Sequence, residues 1–251
     1  MTTITLIGTG RLSFNLMNEI LEIESLQLNQ IYGRSMFRPK HISDDIDYIK
    51  DIDNLKNSDF YFICVSDGQI LNVSKKLNVN DRVVVHLSGS TEMSILLHHQ
   101  NFGVFYPLQT FSYESELSFK EIPILIEANN KKTLAKINTL AKLFSRKVRK
   151  MNSKKRLICH LSATIANNFS NHMIVTAEKI LENNKIDKKL IRPLVFETIK
   201  KLQKMNAVDA QTGPAVRNDL LTIKKHMKQL NESEFLNLYK EITKSIMSNE
   251  L

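Results

Sequence analysis

The chain holds only two cysteines, Cys64 and Cys159, among 251 residues. Two thiols cannot build a disulfide framework or a zinc-ligand spacing, so both are read as packed, reduced side chains and no metal site is expected. No apolar run approaches the length of a membrane span, and no N-terminal stretch joins a basic flank, an apolar core and a cleavage site. The expectation is a soluble, cytoplasmic protein with no membrane partner. Glycine is scarce as well: beyond residue 153 only Gly213 remains, and β-rich runs end there too. The last hundred residues therefore read as helices.

Charge is the one compositional excess, at +9 with 42% hydrophobic residues. Residues 146–156 are dense in Lys and Arg, which is how a nucleic-acid surface would look. No nucleic-acid module accompanies them, and Lys200, Lys201 and Lys204 suit the solvated sides of helices. No nucleic-acid partner is expected. The same field would draw in an anionic cofactor or an acidic substrate.

Residues 4–13 read Ile-Thr-Leu-Ile-Gly-Thr-Gly-Arg-Leu-Ser. A short apolar run stops at Gly8, and Leu12, Leu16, Ile20 and Ile23 then recur at helical spacing. Strand, glycine turn and helix in immediate succession suit a dinucleotide pyrophosphate, which needs amides at a helix N-terminus and close backbone approach. Gly8 makes the turn, Gly10 admits the phosphates, and the amides of Thr9, Arg11 and Leu12 belong to the same cradle. Ser13 replaces the third glycine of the usual pattern. A plain strand-to-helix turn would also use glycine.

An NAD site usually places Asp or Glu about 20 residues beyond the glycines, whereas an NADP site uses Arg. Here the acid is missing, and Gly33-Arg34-Ser35 stands near its place after a second strand at 28–32. Arg34 offers a fork of donors to a 2′-phosphate, Ser35 adds a hydroxyl, and Arg38 and Lys40 raise the local potential. NADP is the expected cofactor. Arg34 as an ordinary loop arginine is the other reading.

Further strands are expected at 60–65, 82–86, 102–106 and 122–127, with a helix at 131–144 and a last strand at 147–151. Ligands of parallel sheets sit beyond the carboxyl ends of the strands, which puts Val65, Ser66, Asp67, Ser88 and Gly89 in the crevice. The fold class is α/β: a Rossmann-like, mostly parallel sheet with a smaller all-helical domain, divided as 1–152 and 153–251. Helices are expected at 153–183, 188–206, 216–230 and 232–247, with Ser153 as N-cap of the first.

His160, Thr164, Asn168 and Asn171 lie at spacings of four, four and three, one polar stripe on a helix. A hydride transfer needs a proton donor or acceptor near the reacting oxygen or nitrogen, which histidine supplies near neutral pH. His160 is the candidate, ahead of His86 and His226, with Asn168 and Asn171 orienting substrate or nicotinamide. A solvated or dimer-facing stripe would look the same. Residues 210–219 form a Gly-Pro loop in which Arg217 could hold a carboxylate or pair with Asp219.

Gly8-Thr9-Gly10, Gly33-Arg34-Ser35, His86-Leu87-Ser88-Gly89-Ser90, Tyr106-Pro107-Leu108-Gln109-Thr110-Phe111, Asn168-Phe169-Ser170-Asn171-His172 and residues 212–219 together resemble one family over nearly the whole chain. It joins a Rossmann-like domain to a helical domain of unknown function, number 2520. The architecture is similar to that of pyrroline-5-carboxylate reductase, prephenate dehydrogenase and the β-hydroxyacid dehydrogenases. The resemblance implies an NADP-dependent oxidoreductase acting on a small carboxylate-bearing carbonyl, imine or alcohol, with Gln109, Asn171 and Arg217 at the substrate, and a homodimer through the helical domain. The β-hydroxyacid dehydrogenase lysine is replaced at Thr164 or its neighbour, which leaves a non-catalytic NADP-binding sensor or assembly protein as the alternative.

Overall fold

Strand β1 (Thr2–Ile7) sends Ile4 and Leu6 to one face of a sheet and Ile7 to the other, the two-residue alternation of a pleated strand. β4 (Phe60–Ile63) repeats this with Phe60 and Phe62 against Tyr61 and Ile63, and β5 (Val83–His86) with Val83 and Val85 against Val84. Apolar residues on both faces mean that both must be covered. Helices α1 (Arg11–Glu22) and α3 (Lys131–Phe144) cover the first, with Leu16, Ile20, Ile137, Leu140 and Phe144 in its core. The short α2 (Ile70–Ser74) covers the second through Ile70 and Val73.

The computed structural model describes residues 1–114 and 117–248. With β2 (Leu26–Tyr32), β3 (Tyr48–Ile49), β6 (Asn101–Pro107), β7 (Ile124–Ala128) and β8 (Val148–Lys150), the strands form one sheet in the order β3-β2-β1-β4-β5-β6-β7-β8. All neighbours are parallel except β6 and β7, which run antiparallel. The chain is thus an α/β protein with a mostly parallel sheet. The order reverses at β1, whose neighbours β2 and β4 lead away in opposite directions, so a crevice opens beyond the carboxyl ends of these strands.

Contacts divide the chain into two compact units, Met1–Asn167 and Asn168–Leu251. The first includes the sheet and α4 (Ser153–Ala163). Here the expected cap is corrected by one residue: Asn152 Oδ1 accepts the Lys155 amide at 3.0 Å, while the Ser153 hydroxyl donates to Glu127 Oε2 at 2.8 Å. After α4 the helical run passes through a π segment, Thr164–Phe169, which spacing alone did not reveal. Such i→i+5 turns are rare and concentrate at functional sites.

The second unit is helical, with α5 (Ser170–Asn183), α6 (Arg192–Leu202), α7 (Ala207–Ala210), α8 (Leu220–Gln229) and α9 (Leu236–Met247). The short α7 was not anticipated, and the helix expected from 216 starts at Leu220 because Asp219 caps it, accepting the Thr222 amide and hydroxyl at 3.1 and 2.7 Å. Little of this unit is buried: among its described residues only Thr176, Ala215, Ile223 and Phe235 are. Leu190, Leu194, Phe196, Ile199 and Leu202 all stand exposed. Among the described residues no helix is long and apolar enough to cross a membrane.

Candidate active site

Gly8 closes β1 at φ +119, and a Cβ there would overlap the carbonyl oxygen of Cys64 on the neighbouring strand end. Glycine is required twice over, by backbone sign and by space. Its amide donates to Tyr32 O and its carbonyl accepts the Ser13 hydroxyl, at 2.8 and 2.7 Å. Ser13, buried at 1%, uses its hydroxyl to tie the turn to the first turn of α1. The residue in place of the third glycine fits by making an internal bond.

Gly10 differs from Gly8. It is the N-cap of α1, with ordinary negative φ, no side-chain cap and no acidic residue in the turn that follows. Nothing lies within 4 Å of where its Cβ would be. The α1 amides therefore end in open space carrying the partial positive charge of a helix N-terminus. In front lies a cleft of about 320 Å³ lined by Gly8, Thr9, Gly10, Arg34, Ser35, Val65 and Ser66. It has the form that a phosphate-bearing dinucleotide would need: free amides at one wall and a guanidinium at another.

Tyr48 holds the second wall. Its hydroxyl donates to Ser35 O at 3.1 Å and occupies the space a Gly33 side chain would fill. Arg38 lies outside the lining of the cleft. Its guanidinium donates to the carbonyls of Ser43 and Ile46, pairs with Asp44 at 3.7 Å and lies 5.7 Å from the Tyr48 ring centre. Arg34 is exposed, lines the cleft, and has no ion pair among the described residues.

At the end of β5 the expected crevice residues build a second cluster. Ser88 Oγ accepts the amides of Ser90 and Thr91, at 3.1 and 2.9 Å, and the Ser90 hydroxyl donates to Asp67. Gly89 is where two rings meet: a Cβ would fall 2.6 Å from His160 Nδ1 and 2.7 Å from Tyr106 Cζ. Through that gap Tyr106 Oη lies 3.0 Å from His160 Nδ1. Burial first, and then the Asp67 charge, push the Tyr106 phenol up to about 12. It stays protonated at neutral pH.

His160 reaches this point because α4 is anchored one turn earlier. Arg156, fully buried, pairs with Glu127 Oε2 on β7 at 2.5 Å and donates to Thr91 O at 2.6 Å. An arginine taken out of water needs such partners, and residue 160 follows at helical spacing. Arg156 is therefore unavailable to a nucleic-acid backbone. His86 is a structural residue: wholly buried, it accepts the Ser88 amide at Nδ1, and burial followed by the Arg156 charge lowers it to about 3. Burial likewise pushes the Cys64 thiol up, leaving it an inert thiol.

Of the remaining expected residues, Gln109 is exposed and its side-chain oxygen accepts the neighbouring Thr110 amide at 2.8 Å. Arg11, Leu12, Asp67, Ser88 and Gly89 lie outside the lining of the cleft. In the helical unit Asn168, Asn171 and Arg217 are exposed, Gly213 adopts φ +114, and Asp219 is taken up as the α8 cap, not by Arg217. His226 Nδ1 lies 2.9 Å from Tyr239 Oη. A cavity of about 250 Å³ in this unit has no charged lining residue, so it lacks the chemistry to hold phosphates. Tyr48 and Glu127 were not singled out in the sequence, and Tyr106 and Arg156 entered only as parts of a motif and of the basic stretch.

A family model described as Domain of unknown function (DUF2520) matches residues 122–246. A candidate NADP oxidoreductase from Bacteroides fragilis superposes with a TM-score of 0.91 at 30% identity, covering 99% of this chain and 98% of that one. The chain belongs to the DUF2520 family of Rossmann-like proteins. Other members of the fold are more distant in sequence. A 1-pyrroline-5-carboxylate reductase from Streptococcus pyogenes has a TM-score of 0.63 at 15% identity, with 98% and 96% covered. A reductive aminase from Aspergillus terreus, in complex with NADPH and ethyl-5-oxohexanoate, has 0.72 at 9%, with 100% and 95% covered. These two share the fold, which does not by itself carry an activity. No curated protein matches the chain.

Proposed function

We propose that the protein is an NADP-dependent oxidoreductase that moves hydride between nicotinamide and a small, carboxylate-bearing carbonyl, imine or alcohol. The observation that carries the reading is the switch-point cleft, with the α1 amides beside Gly10 and Arg34, which has no ion pair among the described residues, on one cavity. Gly8, Thr9, Gly10, Arg11 and Leu12 would hold the pyrophosphate, with Ser13 fixing the turn, and Arg34 and Ser35 would hold the 2′-phosphate. Bound there, NADPH would supply hydride. Val65, Ser66, Asp67, Ser88 and Gly89 form the crevice walls, and His160 would give a proton to the substrate heteroatom or take one from it.

Gln109, Asn168, Asn171 and Arg217 are assigned to the substrate, Arg217 to its carboxylate. Division of labour follows the sequence, with residues 1–152 for the nucleotide and 153–251 for substrate and dimerisation. The same reading takes the protein as cytoplasmic and as a homodimer, the latter supported by the apolar side chains that the helical unit leaves exposed.

Calorimetry with NADPH and NADH on the wild type and Arg34→Ala tests the assignment. Charge-assisted bonds to a phosphate are worth about 1.5–3 kcal/mol, so the variant should bind NADPH about 10- to 100-fold more weakly and NADH unchanged. No heat with either nucleotide would end the proposal. Tight NADPH binding with no turnover across imines, ketones and hydroxyacids would favour the sensor.

A further inference from the structure

Among the described residues the His160 ring has one hydrogen-bond partner, Tyr106, with Oη 3.0 Å from Nδ1 and the rings edge to face at 73°. Tyr106 is 9% exposed, and its hydroxyl bonds no other described group. A buried phenol must place its proton, and a neutral imidazole has one N–H and one lone pair. A hydroxyl that donates to Nδ1 leaves the imidazole proton on Nε2. Gly89 permits the approach by having no side chain between the rings.

We propose that Tyr106 is a positioning residue that holds neutral His160 in the tautomer protonated at Nε2, so that Nε2–H is the donor offered to the substrate's carbonyl oxygen or imine nitrogen. Its use in a reaction rests on the oxidoreductase reading; the tautomer does not. Tyr106 also makes the proton transfer balance without forming an imidazolate. As the Nε2 proton passes to the negative substrate heteroatom, the Tyr106 hydroxyl proton passes to Nδ1. His160 stays neutral, and the starting state returns when Nε2 takes a proton from solvent and the Nδ1 proton passes back to the phenolate. An alkoxide is a stronger base than a phenolate, so the transfer runs downhill. Besides His160, the ionisable neighbours of Tyr106 are Asp67, Cys159 and Arg156, and Arg156 is already paired with Glu127.

The test is nitrogen NMR on full-length protein labelled at histidine, with His160→Gln assigning the resonances. Near neutral pH the wild type should show a lone-pair Nδ1 and a protonated Nε2 at residue 160. Tyr106→Phe keeps the ring and removes the hydroxyl, so a fraction protonated at Nδ1 should appear. A proton on Nδ1 in the wild type would overturn the proposal, as would a tautomer unchanged in the folded Phe variant. Should that variant fail to fold, the wild-type spectrum alone decides. Failure of the oxidoreductase reading would show separately, as absence of NADPH binding with the tautomer intact.

Discussion

Tyr106 and His160, 54 residues apart in the chain, meet with Oη 3.0 Å from Nδ1 over a glycine that leaves their rings room. Gly89→Ala would place a methyl 2.6 Å from one ring and 2.7 Å from the other. Neither ring is a flexible chain end, so one must move. The expected cost is about 1–3 kcal/mol, as for other overpacked sites, read as a lower urea midpoint together with loss of the Tyr106-dependent tautomer. An unchanged midpoint and spectrum would show that the rings do not depend on this gap.

Tyr48 braces the loop that carries Arg34 through a 3.1 Å bond to Ser35 O. Tyr48→Phe removes one neutral hydrogen bond, worth about 1 kcal/mol. NADPH should bind about fivefold more weakly and NADH as before. Equal weakening of both would mean that the hydroxyl supports the whole cleft instead of the adenosine-phosphate end.

Arg156→Met strips the partly buried Glu127 carboxylate of its charged partner, leaving it the Ser153 hydroxyl. Breaking such a pair costs about 3–5 kcal/mol, and chemical denaturation should show a loss of that size. Adding Glu127→Gln should restore part of it, because the uncompensated charge is then gone. No recovery in the double variant would place the cost in the bond to Thr91 O.

His86 and His99 give the stability an acid limb. Their folded values, about 3 and about 4, are depressed chiefly by burial, with the Arg156 charge adding at His86 and His98 at His99. Both lie below the about 6.5 of an unfolded histidine. As pH falls from about 6.5 toward those values the unfolded chain binds protons that the folded one refuses, so stability is full above that window and declines within it. The expected slope is up to about 1.4 kcal/mol per pH unit for each histidine. His86→Gln should flatten it in urea titrations between about pH 7 and pH 5; the same slope in both proteins would contradict the assignment.

The nucleotide half was legible where periodicity is local. Lys131–Phe144 is the helix read from the sequence, and β1, its glycine turn and α1 lie where the apolar spacing put them. Strand direction was not readable, since an apolar run such as Ile124–Ala128 looks the same parallel or antiparallel. The partners of Arg38 were not readable either, because the carbonyls that claim it, at Ser43 and Ile46, converge only once the chain turns back on itself. For the same reason the partner of His160 could not be found by spacing: Tyr106 sits on a strand and His160 on a helix. In the second half the helix expected from 216 starts at Leu220, where the capping Asp219 outweighed the apolar pattern.

Gly8 and Gly10 answer to different masters. Architecture dictates the first, whereas nothing in the folded chain objects to a larger residue at the second. In a lineage that abandoned its nucleotide, position 10 would drift early while position 8 stayed fixed. An aligned set of descendants could thus be sorted into those still under selection for the ligand and those retaining only the scaffold, by inspecting a single column.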